Sequence, residues 1–207
     1  MAPPSSFDSA PAIAGRQALR AEARRRRRAI PAAERDRLAR AVARRAISEF
    51  PLPRGARVAL YLTVGSELPT APLIALARRR GWRIHVPVLQ PGRTPALWFV
   101  PLVEPLRTNR YGIPEPVAAL RRRVPPRWLD LVFVPLLAFA PDGQRLGSGA
   151  GFYDRSFAFR RCRGGWRKPP LVGLAFECQR VDHLAAQPWD VPLDAVVTER
   201  ALHRSAP

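Results

Sequence analysis

Apolar residues along the chain follow two repeat patterns, one typical of helices and one of buried strands. Helical spacing is clearest at Leu38, Val42 and Ala46, where prolines stand before and after the apolar stripe. Short apolar runs bounded by turn residues predict strands instead. In chain order, we predict helices at 13–29, 31–50, 70–80 and 152–162, and strands at 57–62, 83–88, 96–100, 129–134, 171–176 and 194–198.

Alternation of strands with helices predicts the fold class. It indicates an α/β protein, a single three-layer domain whose mostly parallel central sheet is flanked by helices. The strand at 96–100 is expected at an edge of the sheet. Residues 1–12, rich in proline and serine, are expected to be a disordered leader, and residues 13–207 one domain. In such sheets, ligands bind at the carboxyl ends of the strands.

The net charge of the chain favours negatively charged partners. Its 35 Lys and Arg residues outnumber 16 Asp and Glu, a formal net charge of +19, which attracts polyanions. The two cysteines are too few for a disulfide framework and have no zinc-site spacing. No apolar run approaches the roughly 20 residues of a membrane-spanning helix, and residues 1–12 do not have the pattern of a secretory signal. A cytoplasmic protein with no membrane partner is therefore expected.

The candidate chemistry is concentrated at residues 131–155. An apolar strand leads to a polar turn at 141–143, then to Arg145, to glycines at 147, 149 and 151, and to a predicted helix start. Glycines allow close approach of the backbone to an oxyanion, and successive N–H groups can bind phosphate. Arg145 is suited to bind phosphate, and Asp154 to hold the Mg²⁺ that accompanies a nucleotide. The glycines match neither the dinucleotide fingerprint nor the P-loop, so the fold is Rossmann-like without that fingerprint, and a glycine-rich surface turn is the alternative.

Residues 145–155 read R-L-G-S-G-A-G-F-Y-D-R, which closely resembles the signature of the 5-formyltetrahydrofolate cyclo-ligase family. The resemblance extends over nearly the whole chain after residue 12. Residues 16–20 resemble the family's K-x-x-L-R, with arginine in place of lysine, and residues 61–70 resemble Y-x-S-x-x-x-E-x-x-T. Residues 109–116 are similar to N-x-x-G-I-x-E-P, and residues 189–199 to the closing h-D-x-x-L-D-x-x-x-T-E.

This resemblance implies an enzyme, a ligase that uses ATP and Mg²⁺ to convert 5-formyltetrahydrofolate to 5,10-methenyltetrahydrofolate. It implies catalytic roles for Arg145 and Asp154, and Mg²⁺ ligation by Asp154 and Asp190. The implied ATP-binding residues are Arg16, Arg20, Arg145, Leu146, Gly147, Ser148, Gly149, Ala150, Gly151, Phe152 and Tyr153. The implied substrate-binding residues are Leu62, Glu67, Trp98, Gly149 and Tyr153.

Three positions of the glycine loop depart from the family's commoner residues: Ser148, Ala150 and Phe152. The backbone of the loop is unaffected by them, whereas side-chain contacts at Ser148 and Ala150 would be lost. The expected partner is a folate, with or without a polyglutamate tail, and the expected state is a monomer. Two alternatives stay open at this point: a basic nucleic-acid-binding protein, with nucleic acid disfavoured as the primary partner, and another small-phosphate enzyme on the same scaffold.

Overall fold

The computed structural model describes residues 10–90, 96–109, 112–116, 121–161 and 168–205. The helices are α1 (Ala10–Arg28), α2 (Ala32–Glu49), α3 (Ala71–Arg79) and α4 (Phe152–Ser156). The strands are β1 (Arg57–Ala59), β2 (Arg83–Leu89), β3 (Leu97–Pro101), β4 (Leu106–Thr108), β5 (Pro114–Pro116), β6 (Leu131–Pro135), β7 (Ala138–Phe139), β8 (Arg145–Leu146), β9 (Leu171–Leu174), β10 (Ala195–Val197) and β11 (Leu202–Arg204). Short 3₁₀ turns span residues 126–128, 158–161 and 177–179.

Seven strands form the central sheet, in the order β11-β10-β9-β6-β1-β2-β3. The five inner strands run parallel, and β3 and β11 pair antiparallel at the two edges. The mostly parallel sheet and the edge position of β3 are thus confirmed. Strand β11 was not predicted, because three residues of mixed polarity show no alternation and pair only once β10 is in place.

The two faces of the sheet bury different side chains, since neighbours along a strand point in opposite directions. Helices α2 and α3 cover the face that carries Val58 and Phe133. The other face carries Val132 and Val134, and packs against Phe157 and the apolar residues of 191–193. Helices α2 and α3 therefore cover one face, whereas the five-residue helix α4, a 3₁₀ turn and irregular chain cover the other.

Two predicted helix boundaries differ from the structure by three residues or more. The first helix begins at Ala10 rather than at 13, and residues 1–9, which hold most of the predicted leader, lie outside the described residues. The predicted helix 152–162 ends at Ser156 and continues as a 3₁₀ turn over 158–161; Cys162 lies outside the described residues. The fully buried Phe157 lies at this change, with its ring stacked on Tyr153 and tilted against Phe159. Packing of these aromatic rings therefore outweighs continuation of the helix.

A small hairpin links the sheet to the site. Strands β7 and β8 pair around the turn predicted at 141–143, and their apolar residues pack against Ala23 of α1. The pairing itself was not predicted. It brings Arg145 back beside the end of β6, and it gives α1 a surface to pack on.

Gly143, in that turn, is expected to tolerate no side chain. Its φ is +84°, and a Cβ would lie 2.6 Å from the carbonyl oxygen of Leu193, whose N–H donates to the Gly143 carbonyl. Left-handed strain and overpacking should together lower the free energy of unfolding of Gly143→Ala by about 2–4 kcal/mol, measured by urea titration. Gly65→Ala is the matched control, since Gly65 also has positive φ but open space around it. Equal losses in both variants would contradict the steric part of this argument.

Candidate active site

A cleft of about 450 Å³ lies at the carboxyl ends of β1, β2 and β6. Helix α1 forms one wall, the loop after β1 and the glycine loop 147–151 form others, and residues 189–190 close it. The predicted site residues that line it are Arg16, Arg20, Leu62, Glu67, Arg145, Gly147, Ser148, Gly149, Gly151, Phe152, Tyr153, Asp154 and Asp190. The structure thus brings the glycine loop and Glu67, distant in sequence, into one cavity.

Three predicted site residues do not line the cleft. Trp98 packs beside Val86 and Val88, with the Arg123 guanidinium 4.8 Å from the centre of its ring. Its neighbour Leu97 lines the cleft instead, because alternate residues of β3 face opposite sides. Leu146 is buried in the core beneath α1, and Ala150 is exposed on the outside of the loop.

Sequence reasoning missed several lining residues: Arg24, Arg27, Tyr61, Val64, Pro87, Leu89, Leu97, Ile113, Pro135, Leu136, Leu137 and Trp189. Glu115, from the motif at residues 109–116, also lines it and accepts a 2.8 Å hydrogen bond from the Asn109 amide. For the arginines a signal existed. Residues 16, 20, 24 and 27 are spaced by four, four and three positions, which places them on one face of a helix. The run of five arginines at 24–28 obscured this spacing.

Arg27 is the most deeply buried of these cleft arginines, with 7% of its surface exposed. Its Nε donates to Ser66 Oγ at 3.1 Å, and its Nη1 donates to the Leu136 carbonyl at 3.5 Å. Burial lowers the pKa of the guanidinium, and the charge of Glu67 opposes that shift. An arginine keeps its proton even so. Arg27 therefore supplies a fixed positive charge at the base of the cleft.

Arg145 is held in place by the protein itself. Its Nη2 donates to Asp154 Oδ1 at 2.6 Å, and its Nη1 donates to the carbonyl of Val191. The same Asp154 oxygen accepts the N–H of Val191 at 3.1 Å. The pair links β8, α4 and the chain before β10, with the guanidinium 6% exposed and the carboxylate 20% exposed. Arg145 is thus fixed in the cleft wall beside the proposed metal ligand.

Asp190 is held in a similar way by α1. Arg16 Nη2 lies 3.5 Å from Asp190 Oδ2, which also accepts the N–H of Gln187 at 3.0 Å. Arg16 Nη1 is buried and has no hydrogen-bond partner among the residues that the structure describes. One turn along, Arg20 Nε donates to the carbonyl of Gly147 at 3.2 Å. These contacts hold α1 against both the glycine loop and Asp190, and an anion would satisfy Arg16.

The glycine loop needs two of its glycines for backbone reasons. Gly149 has φ +112° and Gly151 has φ +65°, conformations that side chains disfavour. A Cβ on Gly149 would also lie 3.6 Å from the Arg20 guanidinium. Helix α4 spans only five residues, so its dipole contributes little. The predicted anion binding therefore depends on loop N–H groups and on arginines rather than on a long helix.

Glu67 and Tyr153 form the less charged part of the cleft. Glu67 Oε2 accepts the N–H of Val64 at 3.0 Å. Burial raises the pKa of Glu67, and the Val64 hydrogen bond and the charge of Arg27 only partly oppose it. Burial likewise raises the pKa of Tyr153, so its hydroxyl keeps its proton. This region suits a flat ligand with N–H donors.

Glu67→Gln is expected to raise the unfolding temperature at neutral pH. The folded-state pKa of Glu67 lies above its unfolded value, so the native state favours the protonated carboxyl. The contribution of the protonated Glu67 carboxyl to stability is complete below the unfolded pKa and is lost as the pH rises through the folded pKa. Glutamine mimics the protonated form, so the gain should be present at pH 7 and shrink towards pH 4.5. Calorimetry across this range tests it, with the exposed Glu104→Gln as control; a gain that does not depend on pH would contradict it.

The donor set fits a magnesium ion. Among the described residues, Asp154 Oδ2 and Asp190 Oδ1 accept no hydrogen bond, so each aspartate keeps one oxygen for a cation. Mg²⁺ typically takes one or two carboxylates and completes its shell with water and phosphate oxygens. The described ranges contain no group of three or more acidic, His or Cys side chains arranged for a metal. A metal here would therefore depend on a phosphorylated ligand.

The fold and this cleft define a class: α/β proteins with a cleft lined by arginines and a glycine loop at the carboxyl edge of a parallel sheet. Within that class, the family model of the 5-formyltetrahydrofolate cyclo-ligase family matches residues 12–199 of this chain. The chain belongs to the 5-formyltetrahydrofolate cyclo-ligase family. No described helix is long and apolar enough to cross a bilayer.

Individual relatives agree over most of their length. The chain is 39% identical over 180 residues to the 5-formyltetrahydrofolate cyclo-ligase of Escherichia coli (strain K12), covering 84% of this chain and 95% of that protein. It is 33% identical over 182 residues to the enzyme of the same name from Haemophilus influenzae, covering 86% and 94%. The NMR structure of Aquifex aeolicus 5,10-methenyltetrahydrofolate synthetase superposes with a TM-score of 0.73 at 28% identity, covering 91% of this chain and 92% of that one.

Proposed function

We propose that this protein is an ATP-dependent ligase that converts 5-formyltetrahydrofolate to 5,10-methenyltetrahydrofolate, releasing ADP and phosphate. The observation that carries the proposal is the single cleft in which the glycine loop and the two aspartates face Glu67. A reaction that joins a nucleotide to a folate needs both ligands in one cavity, with the reacting atoms aligned. Family membership supplies the identity of the substrate.

The phosphates of ATP would lie against the glycine loop, Arg16 and Arg20. Asp154 and Asp190 would hold Mg²⁺, which when bound would neutralise charge on the phosphates. Arg145, fixed by Asp154, would place a further positive charge beside the phosphate that is transferred. Arg16, whose Nη1 has no partner among the described residues, is suited to donate a hydrogen bond to a phosphate oxygen without giving up another contact.

The folate would occupy the part of the cleft formed by Leu62, Glu67 and Tyr153, with Arg27 behind it. Trp98 is left out of this group because it does not line the cleft. The formyl oxygen would attack the γ-phosphate and displace ADP. N10 would then attack the activated formyl carbon, and the ring would close as phosphate and the N10 proton leave. Each step needs alignment and charge neutralisation rather than a covalent enzyme intermediate. We expect a cytoplasmic monomer that accepts folates with or without a polyglutamate tail.

The direct test is an absorbance assay. Purified protein, ATP, Mg²⁺ and 5-formyltetrahydrofolate are mixed, and the near-UV band of the methenyl product is followed, with ATP omitted in the control. Growth of the band only with ATP is the expected result. A flat trace from folded protein that still binds ATP would contradict the proposed substrate. Growth of the band without ATP would contradict the proposed ligase reaction.

A further inference from the structure

A second cavity, of about 480 Å³, lies at the opposite edge of the sheet. It is lined by the first residues of β1 and β2, the end of β3, and residues 122–124 and 128. We call it the amino-edge cleft. Strand β2 joins the two cavities: Arg83 lines the amino-edge cleft and Leu89 lines the candidate active site, roughly 20 Å further along the strand. The two cavities share no lining residue.

The amino-edge cleft is strongly basic. Five arginines line it: Arg57, Arg78, Arg83, Arg122 and Arg123. Among the residues that the structure describes, Arg57, Arg78, Arg83 and Arg122 form no salt bridge with a carboxylate. Asp130, the acid beside the cleft, accepts the backbone N–H of Arg57 instead, at 2.7 Å. With five arginines on its lining and Asp130 beside it, the cleft carries a net positive charge, which attracts a polyanion.

An exposed tryptophan lies on the rim of this basic surface. Trp128 keeps 59% of its surface exposed, more than any other large apolar residue that the structure describes. Its backbone is fixed, because its N–H donates to the Pro125 carbonyl at 2.9 Å and its carbonyl accepts Arg57 Nη1 at 3.3 Å. Trp82 lines the cleft too, but it is buried and its Nε1 donates to the Leu52 carbonyl. Trp128 thus offers a flat apolar surface next to fixed positive charge.

His85, the buried histidine of this cleft, adds no charge at neutral pH. Its Nδ1 lies 2.9 Å from the Arg83 carbonyl, and burial lowers the pKa of its imidazole. The binding properties of the cleft therefore come from the arginines and from the aromatic ring. Phosphate-binding arginines next to a stacking ring are the combination by which proteins bind unpaired nucleotides.

We infer that the amino-edge cleft binds single-stranded nucleic acid, with a base stacked on Trp128 and neighbouring phosphates bound by Arg83 and Arg122. A strand fits better than a free nucleotide because the arginines come from three separate segments, 57, 78–83 and 122–123, and can bind more than one phosphate. This inference goes beyond the ligase reaction and does not depend on it.

The test uses the full-length protein and a fluorescein-labelled 12-nucleotide RNA, with anisotropy measured at several salt concentrations. Each phosphate contact to a single strand changes the slope of log K against log salt by about 0.7. The double variant Arg83→Gln/Arg122→Gln should therefore lower the slope by roughly 1.4 and weaken binding about tenfold at 0.1 M salt. Trp128→Leu should weaken binding about tenfold with the slope unchanged.

The matched control is Arg40→Gln/Arg44→Gln, which removes the same two charges from the exposed face of α2. It should bind RNA within twofold of the unmodified protein, and all variants should keep their ligase activity. An equal loss in this control would mean that net charge alone binds RNA, and would overturn the inference. Displacement of the RNA by ATP would place it in the active site, and equally tight binding of UMP would identify a nucleotide site; either result overturns the inference as well.

Discussion

Replacing Asp154 with asparagine is expected to abolish turnover and to lower stability. Asparagine keeps a carbonyl oxygen for the Val191 N–H but removes the charge that would hold Mg²⁺. Turnover should fall by at least about a thousandfold, since charge stabilisation on the transferred phosphate supplies much of the catalysis in such reactions. The buried Arg145 guanidinium also loses its counter-ion, which costs about 3–5 kcal/mol when one member of a buried pair is removed.

The experiment measures turnover as a function of Mg²⁺ concentration, together with urea unfolding at the assay temperature. Asp182→Asn removes one carboxylate from an exposed position and serves as the control. Turnover by Asp190→Asn should require more Mg²⁺. Its loss of stability should be smaller, because the Arg16–Asp190 contact is longer, at 3.5 Å, and Arg16 is more exposed than Arg145. A folded Asp154→Asn protein with normal activity would remove the metal role from this residue.

Arg27→Met is expected to produce the second large effect, on the folate side of the cleft. Methionine fills much of the volume but makes neither the hydrogen bond to Ser66 nor that to Leu136. Hydrogen bonds of a charged group are worth about 1.5–3 kcal/mol each. The contact with Leu136 is long, at 3.5 Å, and contributes little, so stability should fall by about 2–4 kcal/mol in total. The pKa of Glu67 should rise further in the variant, because the positive charge of Arg27 lowers that pKa in the unmodified protein.

Kinetics at several pH values separate the two consequences. The KM for 5-formyltetrahydrofolate should rise about 10- to 100-fold, and the acid limb of the kcat/KM profile should move to higher pH. Arg28→Met is the control, since it removes the same charge from the next, exposed position of α1. An unchanged pH profile in Arg27→Met, with only reduced stability, would assign Arg27 a purely structural role.

The periodicity of the sequence was sufficient for the α/β class, the mostly parallel sheet and the edge strand, because burial requirements act within each element. The family motifs were also local, so Arg145, Asp154 and Glu67 could be named without any structure. The extent of α4 could not be predicted. Whether Phe157 continues the helix or turns into the core depends on aromatic partners that the fold brings together.

Tertiary structure alone decided which of the predicted site residues face the cleft. Trp98 and Leu97 are adjacent and both apolar, and only the pairing of β3 with β2 sends Leu97 inward. The helical spacing of Arg16, Arg20, Arg24 and Arg27 is present in the sequence, but the burial of Arg27 results from packing of α1 on the β7–β8 hairpin and on the 3₁₀ turn 177–179. Local pattern determines the type of each element, whereas the environment of a charged side chain is set by distant segments that the sheet brings beside it.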